Sequence, residues 1–212
     1  AGLALKNIGR PKEAEEPLKT AIGIYSEENQ IAHTSISYEN LADLQVRTGE
    51  LERALLSAKN ALDAAEKAHS DVNICTSKMQ LAWILHLLGK TEEAGKEFRQ
   101  ADELTEKITG YRIHSIWGVF YADFFLAFKR IDEAFELTKQ NLEICQRNNL
   151  TNDISRCHRC LGALERIKGN HEDAEVHLQT ALELARKVGQ PALEIEALLG
   201  FGRVDLDTRK YE

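Results

Sequence analysis

The chain has 212 residues, 43% of them hydrophobic and 29% charged, with a formal net charge of −7. That balance gives no general attraction for nucleic acid or anionic lipid, and no run of about eighteen apolar residues is present to span a membrane. Three prolines and one methionine are few for this length, as suits long amphipathic helices.

In chain order, the apolar residues fall at three- and four-residue steps. Ile36, Leu41, Leu44 and Val46 lie on one stripe, and Leu51, Ala54, Leu55, Ala58, Ala61, Leu62 and Ala65 on the next. The spacing predicts eleven helical segments, near 1–8, 11–28, 31–48, 51–69, 71–88, 91–109, 111–128, 131–149, 151–168, 171–188 and 191–208. No segment alternates as a strand would. Pro11 and Pro191 stand where a first helical turn tolerates proline. Pro17 stands about six residues inside a helix and is expected to kink it or delay its start.

The segments repeat. Gly49 to Ala54, Gly89 to Ala94, Lys129 to Ala134 and Gly169 to Ala174 are copies of one turn, forty residues apart. An earlier copy runs from Gly9 to Ala14, and a last one is cut off at Arg209-Lys210-Tyr211-Glu212. Seven residues before each turn sits a small residue: Gly2, Ala42, Ala82, Ala122, Gly162 or Gly202. Seven after each turn alanine come Ala21, Ala61, Ala101, Asn141 and Ala181. Small residues in phase let helix backbones approach closely. A fixed period of this size means stacked supersecondary units. The expected organisation is a single array with units 31–70, 71–110, 111–150 and 151–190 and partial units 1–30 and 191–212. The chain reads as a piece of a longer protein.

Catalytic and metal chemistry find little support. There is no glycine-rich phosphate loop, no nucleophile elbow and no paired carboxylates with a plausible cleft. Cys157-His158-Arg159-Cys160 is the one metal-like or redox-like cluster, but no second CxxC completes a zinc site and no strand precedes it. Buried packing is the expected role of these thiols. No enzyme activity, no metal and no cofactor are expected. Few cysteines, all in helical patterns, fit reduced thiols and a cytoplasmic location.

The pattern of small residue, turn glycine, Glu-Ala, then Phe or Leu, then Ala resembles the tetratricopeptide repeat (TPR). Leu81, Ala82, Gly89, Glu93, Ala94, Phe98 and Ala101 carry it best. The forty-residue period is similar to the longer-helix variants, as in kinesin light chains, cell-polarity adaptors and bacterial signalling ATPases. The resemblance implies an all-α fold, a right-handed superhelical solenoid of antiparallel helix pairs. Asn141, Thr138 and Lys129 depart from the pattern, so the fourth unit is expected to pack differently.

In that family the first helix of each pair lines a concave groove. The positions carried over include Glu39 and Asp43; Met79, Trp83 and His86; Val119 and Asp123; Arg156, Arg159 and Arg166; and Arg203, with Arg47 and Phe120 close to the same stripe. The resemblance thus implies an acidic, then aromatic, then basic groove. Chaperone-binding members clamp a carboxylate with lysine and asparagine where this chain has Glu39 and Asp43, which would repel it. The expected function is a non-enzymatic interaction module that holds a partner peptide or helix in its groove. The alternative is a scaffold, self-association or sensor segment of a larger signalling or regulatory protein. A partner protein is expected, with no nucleic acid and no membrane, and a homodimer through the truncated repeat ends is a further expectation. Trp83 is the leading anchor, and Trp117 is expected in the core.

Overall fold

The computed structural model describes residues 11–208. Ten α-helices account for almost all of them, with no strand among the described residues. The expected segment 1–8 lies outside the described residues. The chain falls into two compact units, residues 1–110 and 111–212.

In the first unit, α1 (Pro11–Glu27), α2 (Ile31–Arg47), α3 (Leu51–Lys67), α4 (Asp71–Leu87) and α5 (Thr91–Thr109) each pack on the next, and α2 also touches α4. In the second, α6 (Ser115–Ala127), α7 (Ile131–Arg147), α8 (Thr151–Lys168), α9 (His171–Val188) and α10 (Pro191–Thr208) do the same, with α8 touching both α6 and α10. These are antiparallel helix pairs stacked side by side, an all-α solenoid of the expected class. Pro11 and Pro191 open their helices as expected, and α1 runs through Pro17 unbroken from its first residue.

Eight of the turns share one geometry. A left-handed residue falls every twenty positions, at Asn29, Gly49, His69, Gly89, Lys129, Asn149, Gly169 and Gly189. Each turn closes with the same two backbone bonds: at the second of them, the Gly49 amide donates to the Val46 carbonyl (3.1 Å) and the Glu50 amide to the Gln45 carbonyl (2.8 Å). This is the Schellman motif, which satisfies carbonyls left over at a helix end. Glycine adopts it at least cost, asparagine at a modest one, and lysine at more. The glycine turns were legible from the sequence. Those at Asn29, His69 and Asn149 keep the same period without glycine.

The turn alanines are the packing hinges. Ala14, Ala54, Ala94, Ala134 and Ala174 are all completely buried. Beside Ala94 lies Phe98, the largest fully enclosed side chain among the described residues. Ala94→Leu should therefore overpack, with an expected loss of about 1–3 kcal/mol. Urea denaturation is the measurement, and an unchanged midpoint would mean that this site can expand.

The fourth pair departs from the repeat. Its first helix was expected from residue 111 and begins at Ser115. Ile113 fills the core ahead of it, and His114 is extended. Ser115 has φ +59°, left-handed for a residue with a side chain. Asn141, only 1% exposed, holds it there. The Ser115 amide donates to Asn141 Oδ1 (2.7 Å), and Asn141 Nδ2 donates to the Ser115 carbonyl (3.0 Å). A methyl at Gly118 would lie 2.7 Å from Asn141 Nδ2, so this glycine makes room for the amide. Two other copies use a simpler bond over the same separation: Ser35 Oγ donates to the Ala61 carbonyl (2.9 Å) and Ser155 Oγ to the Ala181 carbonyl (2.8 Å).

Candidate interaction faces

The first helices of the pairs build one face in each unit. In the first unit the face is α2 beside α4. Neutral donors on α4 tie them: Ser77 Oγ donates to Glu39 Oε1 (2.7 Å), and Gln80 Nε2 donates to the Glu39 carbonyl (2.8 Å). Burial pushes the Glu39 carboxyl up to about 7, against the smaller opposing pull of the Ser77 hydrogen bond. Asp43 is matched by Arg47 on its own helix at 3.0 Å. Below neutral pH burial thus holds Glu39 largely uncharged, and the charge of Asp43 has that of Arg47 beside it. Trp83 is half-buried, with its ring 5.5 Å from that of His86, itself half-buried. Met79 is 6% exposed and supports the face from beneath.

In the second unit the face is α6, α8 and α10. Arg159 on α8 donates from Nη2 to both oxygens of Asp123 on α6, at 2.9 and 3.2 Å. Its Nε lies 3.4 Å from Glu196 on α10. Arg156 pairs with Asp153 at 2.9 Å, and Asp153 also accepts from the Ser115 hydroxyl. Arg166 pairs with Asp207 on α10. The three arginines read as a basic zone are each engaged by carboxylates. Arg203 is exposed and has no ion pair among the described residues. Phe120 is half-buried, edge-on to Trp117 at 5.7 Å. Trp117 is itself half-buried and not the core residue expected. Val119 is 2% exposed and belongs to the interior.

The partners Asp153, Asp207 and Ser77 were not picked from the sequence. Their signal was there as separation: Ser77 to Glu39, Ser115 to Asp153, Arg159 to Asp123 and Arg166 to Asp207 span 36 to 41 residues, about one repeat.

The four cysteines are free and buried. A hydrogen bond to Cys145 and burial raise the Cys157 thiol, and burial raises that of Cys160, so both are neutral. His158 and His177 approach through their Nδ1 atoms at 3.1 Å, and burial lowers both. Among the described residues no group of three or more His, Cys, Asp or Glu side chains is placed to hold a metal ion. No helix among them is long and apolar enough to cross a membrane.

Two tetratricopeptide repeat family models match the sequence, over residues 76–108 and 112–187. The chain belongs to the tetratricopeptide repeat family. No curated protein matches it. Among solved structures it is similar to BtubC from P. vanneervenii, with 21% identity, 89% of this chain and 78% of that one covered, and a TM-score of 0.67. It is similar to the nearly identical TPR-like repeats of a kinesin-light-chain-type protein from Podosopora anserina, with 17% identity, coverages of 89% and 93%, and a TM-score of 0.61. It is also similar to YrrB, a TPR protein with an unusual peptide-binding site, with 16% identity, coverages of 90% and 94%, and a TM-score of 0.53. At these identities the likeness is one of fold. That fold is a protein–protein interaction fold.

Proposed function

We propose that this chain is a non-catalytic interaction module whose first-helix faces hold a peptide or helix of a partner protein. The observation that carries the reading is Trp83. It is a large aromatic, half-buried on the α2–α4 face and backed by His86 and the buried Met79. Tryptophan is enriched among the few residues that carry most of the binding energy of an interface. The peptide-binding site of YrrB, a protein of similar fold, supports the same use here. Four free thiols suit a reducing compartment, so the cytoplasm is the proposed location.

The test is capture of a partner from the source cell or a peptide library, followed by titration. Trp83→Ala should cost about 2 kcal/mol, roughly thirtyfold in Kd. A partner that binds parent and variant equally well would remove the α2–α4 face from consideration. Arg159 is a poor probe of binding, because its reversal would also break the ion pairs with Asp123 and Glu196.

A further inference from the structure

Lys78 on α4 and Glu97 on α5 form an ion pair at 2.8 Å, and Gln100 accepts from the same ammonium at 2.8 Å. Two periods further on, the same two positions on α8 and α9 are His158 and His177. Their Nδ1 atoms are 3.1 Å apart and their ring centroids 5.3 Å, so the two nitrogens point at each other nearly in line. A neutral imidazole has one N–H and one lone pair. One Nδ1 therefore donates, the other accepts, and a single proton lies between them. Both rings are half-buried.

That bond tolerates one further proton and not two. The ring that donates from Nδ1 can take a proton on Nε2 and keep its bond. The accepting ring already carries hydrogen on Nε2, so the second proton goes to Nδ1. Both Nδ1 atoms are then donors, face to face, on two cations in one half-buried seam. The carboxylates that act there are Glu165 on α8 and Asp173 on α9, both on His177 and neither on His158. Among the described residues α6, α7 and α10, which also pack on these two helices, contribute no charged group to the pair. Asp173 is exposed, and Glu165 already accepts from Asn170 at 2.7 Å.

We infer that His158 and His177 form an acid-sensitive latch: double protonation opens the α8–α9 hairpin, while Lys78 and Glu97 keep the α4–α5 hairpin closed. Burial lowers both rings from their ordinary 6.5. Below that value the folded state binds fewer protons than the unfolded chain, and stability is lost as pH falls through it. A lysine and a glutamate keep opposite charges over the same range. Helix α8 also touches α6, α7 and α10, so its release loosens the face that carries Arg156, Arg159 and Arg166. The latch does not depend on Trp83.

Hydrogen exchange of the 212-residue chain at about pH 7.5 and about pH 5, corrected for intrinsic rates, follows each hairpin separately. The expected result at the lower pH is a loss of protection in α8 and α9 of about tenfold or more relative to α4 and α5. His158→Lys with His177→Glu transplants the pair of the first unit and should abolish that relative loss. Circular dichroism checks that this double variant folds. If it does not, His177→Gln, which has no ring to protonate, carries the same comparison and should remove most of the loss. The response of Glu39 runs the other way, but it is common to parent and variants and cancels between them. Nitrogen-15 resonances of the parent at about pH 7.5 should show one protonated and one bare Nδ1 in the pair. An equal change in both hairpins overturns the inference. So does a loss that survives the substitutions, or titration of both rings at their ordinary value.

Discussion

Asn141→Ala should destabilise the protein by about 1–2 kcal/mol, although alanine is what the repeat carries at Ala61, Ala101 and Ala181. Elsewhere that position needs only to be small. Here the side-chain amide satisfies both the N–H and the C=O of Ser115. Its loss leaves the Ser115 N–H without that acceptor at the start of α6, next to a vacant volume, while the Ser115 carbonyl keeps its place in the helix. Such a donor costs about 1–3 kcal/mol when buried, and the half-exposure of Ser115 lowers that figure. Ser115 also loses the restraint that holds it at φ +59°. Urea denaturation gives the magnitude, and hydrogen exchange should show faster opening of α6. A loss below about 0.5 kcal/mol would mean that water replaces the amide without cost.

Glu39→Gln should stabilise the protein, and by more at high pH than at low. The folded carboxyl is raised to about 7 by burial from its ordinary 4.5. A carboxylate raised on folding binds more protons in the native state between those two values. Stability then falls as pH rises through that window, and the full cost is present above it. Glutamine removes the titration and keeps an oxygen to accept from the Ser77 hydroxyl, now 2.7 Å away. The expected gain is about 1 kcal/mol near pH 5, growing to about 3 kcal/mol near pH 8. Parallel urea titrations of parent and variant measure the difference, which cancels the other titrating groups. A gain that does not change with pH would show that Glu39 titrates as an exposed carboxylate does.

These two residues also mark where the sequence could and could not be read. Helix ends followed from the period, because every pair closes through the same turn and the same buried alanine. Asn141 was recognisable as a departure, but its consequence was not. That the chain stays extended up to His114 depends on an amide that reaches across 26 residues, and on Gly118 leaving room for it. The stripe of family positions placed Trp83 at the surface, yet it also swept in Met79 and Val119, which lie in the interior. A helix position gives direction, while depth is decided by the neighbouring helix. Charge was the least legible property. Arg156, Arg159 and Arg166 look like a basic strip when one helix is considered alone. Their carboxylates sit mostly on the helices of adjacent repeats. Glu39 and Asp43 look acidic until burial and Arg47 are counted.

Arg159 also bears on how energies combine along the array. In a stack of repeats, stability is usually a sum of terms for each unit and for each pair of adjacent units. Asp123 on α6 and Glu196 on α10 belong to repeats that are not adjacent, yet one guanidinium serves both. Whatever frees Arg159 from one carboxylate leaves it to the other. The effects of losing Asp123 and of losing Glu196 are therefore not independent, so the coupling in the second unit reaches beyond adjacent repeats.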